Sequence, residues 1–422
     1  MDNSLSFAAV AAAAFSPEFI RPLYGSYCFS GIPGSIQKLL SGSTERVSLP
    51  ADVLGSLPMR YRNVIFCLVD AFGFSFLDEY SDIPALKTLR QEGLASKLTS
   101  QFPSTTAVHV TTMLSGLPVN ASGVYEWYYY EHKLDEVISP LVYRYAHGNE
   151  AGVAAPLSSS PNEIFLKGSF FEELIGAGTR IHLSQPADYY TSKYNQYFGQ
   201  GANLLTWKSA QEGLQILADH ALNATGSNYY YYYYPGIDTV CHDHGPGSNA
   251  LYTEICRFWE MFERQVLCTL RGKLKDTLLI ICADHGQVRI DPKSVFLIDR
   301  EIPEIFSVSR CNKRGEPVYP VGSPRDLFLH IAPEYQSETI AELSRKLCGK
   351  ADVRGCSELV SEGLFGPGQP GTRLRKNLGD IAILPYAGES INWSKFHHPL
   401  YGHHGGLTRE EMEIPFIVMP LE

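Results

Sequence analysis

Three apolar runs in this chain each lead into an aspartate: NVIFCLV into Asp70, YYYYYYPGI into Asp238 and TLLIICA into Asp284. Short unbroken apolar runs bounded by polar residues are the pattern of parallel strands buried on both faces, and ligands bind in the loops at the carboxyl ends of such strands. The three acids are therefore expected together on one edge of a parallel sheet. His242 stands four residues after Asp238 and His285 directly follows Asp284. That edge thus carries carboxylate and imidazole, the donor types of transition-metal sites.

A chain of 422 residues with 44% hydrophobic and 19% charged residues builds a sizeable core, which excludes disorder as its general state. The net charge of -10 argues against a long nucleic acid as partner, whereas a small phosphorylated substrate held by metals is unaffected by it. No apolar run reaches the roughly 18 residues of a membrane span. The nine cysteines follow no regular spacing, and Cys67 and Cys282 sit inside strand candidates, so reduced thiols are expected. The segment SFAAVAAAAF has the length of a signal-peptide core, yet Asp2 precedes it and the first basic residue is Arg21. A cytoplasmic protein is expected, with export the alternative. The oligomeric state is left open by the sequence.

The expected fold is α/β, a three-layer α/β/α sandwich with a mostly parallel central sheet and a smaller inserted lobe. Residues 1–60 read as a lead-in packed on the core, residues 61–422 as the catalytic domain, and the lobe falls around residues 290–400. Helical spacing predicts helices in IPALKTLRQEGL, SFFEELIGAG, TWKSAQEGLQILADHALNAT, SNALYTEICRFWEMFERQVLCTLRGKL and SETIAELSRKL.

A nucleophile candidate lies in QFPSTTAVHVTTMLSG. Pro103 breaks the preceding strand, and Ser104, Thr105 and Thr106 stand where a helix begins that runs to Gly116. Hydroxyls there lie beside free backbone N–H groups and the positive end of a helix dipole, which attract anions. Such a triplet also serves as a plain helix cap, and both readings stand. His109, on the apolar face of that helix, is expected to be a packed histidine.

In order along the chain, Asp70 in VDAFGF, the triplet in FPSTTA, Asp238 and His242 in DTVCH, Asp284 and His285 in ADHG, and His404 in HHGGLT resemble the motif series of the alkaline phosphatase superfamily. Within it the chain most resembles the type I phosphodiesterase and nucleotide pyrophosphatase branch, over roughly residues 60–420. The resemblance implies two divalent metal ions, zinc or alternatively manganese. It places the nucleophile ten residues before the glycine that closes its helix, which implies Thr106. Asp70, Thr106, Asp284 and His285 would hold one ion, and Asp238, His242 and His404 the other. His404 is preferred to His403 because the family's ligand immediately precedes Gly-Gly. His244 is expected beside the site or exposed, and His397 and His398 at the rim.

The implied function is metal-dependent hydrolysis of phosphodiester or pyrophosphate bonds, in nucleotide-type substrates, through a phosphothreonine-type intermediate on Thr106. A threonine hydroxyl is a poor nucleophile at neutral pH, and a divalent cation beside it lowers its pKa. Entering and leaving oxygens stand in line in phosphoryl transfer, so a second cation offsets charge on the leaving oxygen. The alternatives are a phosphomonoesterase or phosphomutase of the same superfamily, or a metal-binding protein without turnover. One departure is plain: where many nucleotide-cleaving members carry an asparagine that donates to the phosphate, SGVYEW has Glu126 and Trp127. The backbone N–H of Ala107 is the expected substitute. Tyr125 and Trp127 are the candidate substrate-binding platform, since aromatic faces stack on bases, with core or rim packing as the alternative.

Overall fold

The computed structural model describes residues 1–148, 154–396 and 399–422. Its central sheet has seven strands: β1 (Asn63–Val69), β2 (Leu94–Thr99), β3 (Thr179–Pro186), β4 (Asn203–Trp207), β5 (Ser227–Tyr234), β6 (Thr277–Cys282) and the C-terminal β11 (Glu413–Pro420). Their order is β2-β11-β6-β1-β5-β3-β4. Only β11 runs against the rest, pairing antiparallel with both β2 and β6. The sheet is thus mostly parallel, and helices flank it.

The three strands that end in aspartates, β6, β1 and β5, are neighbours at its centre. Every residue of β1 and β6 is buried, as expected of strands covered on both faces. In β5 the six tyrosines supply the aromatic bulk a pleated core strand favours while keeping polar tips. Tyr231 stacks on Phe66 with centroids 6.0 Å apart, Tyr230 donates to the His220 carbonyl at 3.2 Å, and Tyr233 donates to Asp70.

The helix expected to start at Thr206 starts instead at Ala210 and runs to Leu222. Ser209 takes the N-cap position, its hydroxyl accepting the Glu212 N–H at 3.3 Å, while Thr206 and Trp207 belong to β4. At the opposite edge, Asn3 N–H donates to the Ala95 carbonyl and Ala95 N–H to the Met1 carbonyl, both at 2.8 Å. The N-terminal segment thereby covers part of the open edge of β2.

A second, antiparallel sheet comprises β7 (Val321–Ser323), β8 (Asp326–Leu329), β9 (Ala351–Gly355) and β10 (Ile381–Pro385), in the order β7-β8-β10-β9. Alternation of side chains splits its faces. Leu327, Leu329, Ile381 and Ile383 point into a small core with Ile298 and Leu343, whereas Phe328, Ala382 and Leu384 join the main core. Arg325, at the start of β8, is fully buried and forms a two-pronged ion pair with Glu411, just before β11, at 3.0 Å for each bond. Among the described residues no helix is long and apolar enough to cross a membrane, and all nine cysteines are free.

Candidate active site

Asp70 directly follows β1, Asp284 and His285 follow β6, and Thr106 opens the helix Thr106–Ser115, all ten residues of which are buried. The loop from β2 thus delivers a hydroxyl to the same sheet edge. Thr106 Oγ1 lies 3.5 Å from each Asp70 oxygen and 3.2 Å from His285 Nε2. His285 Nε2 in turn is 3.5 Å from Asp70 Oδ1 and 3.5 Å from Asp284 Oδ2.

Asp238 and His242 share one face of the helix Gly236–His244, an i,i+4 pair with Nε2 3.4 Å from Oδ1. His404 comes from the loop before β11 and places its Nε2 3.7 Å from the same Asp238 oxygen. In each trio the ligand atoms lie within 4.8 Å of one another. The rings of His285 and His404 stack at 3.6 Å and 12°, so the two trios adjoin.

The donor chemistry suits cations. Each histidine turns Nδ1 to a backbone carbonyl: His242 to Gly402 at 2.7 Å, His404 to Ser104 at 2.9 Å and His285 to Gly286 at 3.1 Å. A carbonyl opposite Nδ1 requires the proton there, which leaves the Nε2 lone pair facing the trio. Asp284 Oδ1 accepts the N–H groups of Ala71 at 3.1 Å and His285 at 3.0 Å, while its buried Oδ2 has no hydrogen-bond partner. Burial, then the charges of Asp284 and Asp238, push the Asp70 carboxyl well up, and burial raises Asp284 to about 6. Burial likewise depresses His285 to about 3 and holds His404 well below the ordinary imidazole value. Acids crowded at this cost, facing imidazole lone pairs, form a site that positive charge would complete.

The hydroxyl triplet does not act as a cap. Thr105 occupies the N-cap position without a side-chain bond to the helix start, and Ser104 Oγ donates to the Gly406 carbonyl at 2.7 Å, tying the triplet to the His404 loop. His109 is a packed histidine, its Nε2 2.9 Å from both Ser100 Oγ and Gln101 N and its Nδ1 2.7 Å from the Thr105 carbonyl. Two supporting side chains carry no signal in the sequence. Tyr233 donates to Asp70 from within a tyrosine run that reads only as strand, and Gln287 Nε2 donates to Asp238 Oδ1 at 2.5 Å.

Two cavities of about 330 and 380 Å³ open from this point, and Thr106, Asp238 and Trp127 line both. The first is largely apolar, walled by Tyr128, Val321, Leu327 and Trp393 beside Glu126. The second is more polar, with Arg144, Gln185, Ser192 and Asn195. Much of the apolar wall belongs to the second sheet and its flanking loops. Trp127, 37% exposed, stands where the cavities meet. Tyr125 does not belong to the site, contrary to expectation: it is fully buried, donates to the Asn377 carbonyl at 3.1 Å and packs edge-on against Phe328. In this stretch the wall residues are Trp127 and Tyr128, while Tyr125 faces the core. His403 lines the apolar cavity outside the trio, His244 is exposed, and His397 and His398 lie outside the described residues.

Comparison with known proteins adds to this geometry. The sequence profile of the type I phosphodiesterase / nucleotide pyrophosphatase family matches residues 64–388. No curated protein sequence matches the chain. Among solved structures, murine ectonucleotide pyrophosphatase / phosphodiesterase 5 is similar at a TM-score of 0.62 and 16% identity, covering 84% of this chain and 87% of that one. An inactive variant of the same murine protein in complex with AMP gives 0.59 and 14%, with coverage of 84% and 87%. Phosphonoacetate hydrolase from Sinorhizobium meliloti, in complex with phosphonoformate, gives 0.58 and 16%, with coverage of 85% and 90%. At these identities the likeness is one of fold.

Proposed function

The chain belongs to the type I phosphodiesterase / nucleotide pyrophosphatase family and is a phosphoester hydrolase, and from that membership we propose that it cleaves phosphodiester or pyrophosphate bonds of nucleotide-type substrates through a phosphothreonine-type intermediate on Thr106, with two divalent metal ions. The observation that carries this reading is the position of Thr106 Oγ1: beside Asp70 and His285, and at the junction of two cavities. A diester or pyrophosphate carries a substituent on each side of the attacked phosphorus, and the paired cavities offer room for both. A monoester would leave one of them unused. The AMP complex of the murine relative supports a nucleotide-type ligand.

Asp70, Thr106, Asp284 and His285 would hold one ion and Asp238, His242 and His404 the other. The nitrogen and oxygen donors suit zinc, with manganese the alternative. Ions bound there supply positive charge that lowers the hydroxyl pKa and stabilises the oxygens on which charge builds up. The remaining work falls to the chain. Thr106 Oγ1 loses its proton and bonds to phosphorus while the leaving group departs; water then cleaves the threonyl ester and restores the hydroxyl. The uncapped helix start presents its first N–H groups to the phosphoryl oxygens, the role expected of Ala107. Tyr233 and Gln287 hold Asp70 and Asp238 in register for both steps.

The test compares bis(p-nitrophenyl) phosphate with p-nitrophenyl phosphate, with and without chelator. Faster cleavage of the diester, abolished by chelator and restored by zinc or manganese, is the expected result. Preference for the monoester would move the reading to a phosphatase or mutase, and indifference to chelator would remove the metals from it.

A further inference from the structure

Glu126 is the one feature of the apolar cavity that its walls do not explain. It is fully buried among Trp127, Tyr128, Val321 and Trp393. Its Oε2 accepts the N–H of Trp127, and the Thr105 hydroxyl and the Tyr128 N–H approach the carboxylate, whereas Oε1 makes no hydrogen bond of its own. A buried carboxylate oxygen without a donor is unfavourable, and it persists where a ligand completes it. The nearby ionisable group does not relieve it, because it is a second buried acid. Asp326, held by Ser323, is raised by burial and then by the charge of Glu126, and its Oδ2 also has no hydrogen-bond partner. Among the described residues no ion pair forms at Glu126 or Asp326. An acid without an ion-pair partner on the wall of an aromatic-lined cavity, with a second buried acid near it, has a small cation as its complement. An orphaned acceptor adds a further requirement: the cation should bear an N–H.

We propose that the apolar cavity receives a primary ammonium group carried by one substituent of the substrate, with Glu126 Oε1 accepting its N–H, so that aminoalkyl phosphodiesters or pyrophosphates are the preferred class. This rests on the hydrolase reading above and specifies one side of the substrate; the polar cavity keeps the nucleotide-type side. A trimethylammonium group has the charge and lacks the donor. It serves as the discriminating control.

The experiment measures kcat/KM of the metal-loaded enzyme for the aminoethyl, n-propyl and trimethylammonioethyl p-nitrophenyl phosphates. The aminoethyl ester is expected to exceed the isosteric propyl ester by about tenfold or more, the scale of a hydrogen bond to a charged group, with the trimethylammonio ester between them. In Glu126→Gln the amino-to-propyl ratio should fall towards one. A ratio is unchanged by partial loss of folded protein, so the comparison holds even if the variant is less stable. A wild-type ratio near one, as expected if Glu126 instead carries a proton and donates it to the phosphate, overturns the proposal, and so does a ratio that survives the substitution. In those cases cleavage of the propyl ester leaves the hydrolase reading standing; no cleavage of any ester overturns both.

Discussion

Thr106 sits 3.2 Å from His285 Nε2 and 3.5 Å from the Asp70 oxygens, which makes it the one residue whose removal should separate chemistry from architecture. Thr106→Ala is expected to lose about a thousandfold or more in turnover of a diester while metal content, read by atomic emission, is unchanged. Loss of both together would make Thr106 a residue that holds the metal and leave its role as nucleophile without support. His109 gives a different prediction. Burial lowers its pKa from 6.5 to about 4, so the folded protein keeps the ring neutral where the unfolded chain protonates it. Its contribution to stability is complete above pH 6.5 and is lost as pH falls towards 4. The stability advantage of the wild type over His109→Gln, measured by urea unfolding, should shrink by about 3 kcal/mol across that window. A constant gap would mean the ring is not held neutral. Of the proposed ligands, Asp70, Asp238 and Asp284 were legible in the sequence because each follows an apolar run, His285 and His404 because each stands beside a glycine, and His242 because it follows Asp238 by four residues. Tyr233, Gln287 and the inward turn of Tyr125 were not, since they depend on which neighbour a side chain meets.

At the level of elements, the strands β1, β5 and β6 were readable because burial on both faces leaves an unbroken apolar run. The start of the helix at Ala210 was not, because Trp207 fits the helical pattern as well as it fits β4. The antiparallel insertion of β11 between β2 and β6 is a long-range pairing with no local signature. The approach of two loops is also invisible in the sequence. A Cβ on Gly286 would lie 2.1 Å from the Glu410 carbonyl oxygen and 3.2 Å from Gly73 Cα, so only glycine lets the loop after Asp284 and His285 close on the turn after Asp70. Gly286→Ala is therefore expected to cost about 1 to 3 kcal/mol of stability and to weaken metal binding by about tenfold or more, measured by thermal unfolding and calorimetric titration. Unchanged metal affinity would show that the two loops tolerate separation.

Across the whole molecule, the second sheet is part of the site's wall as well as a separate small core. The buried pair of Arg325 and Glu411 joins it to the His404 loop, because Glu411 also accepts the N–H groups of Gly406 at 3.0 Å and Thr408 at 3.2 Å. Arg325→Met leaves Glu411 buried without its cation and is expected to destabilise the fold by about 3 to 5 kcal/mol; adding Glu411→Leu should recover part of that loss. Equal loss in the single and double variants would mean the pair acts through packing alone. Attack by Thr106 where the two proposed metal trios meet can be seen by acid-quenching the metal-loaded enzyme during turnover of bis(p-nitrophenyl) phosphate and mapping its peptides by mass spectrometry. A p-nitrophenylphosphoryl group on Thr106, formed only when metal is present, is the expected result. Turnover without any adduct on that peptide, or an adduct on another residue, would contradict it.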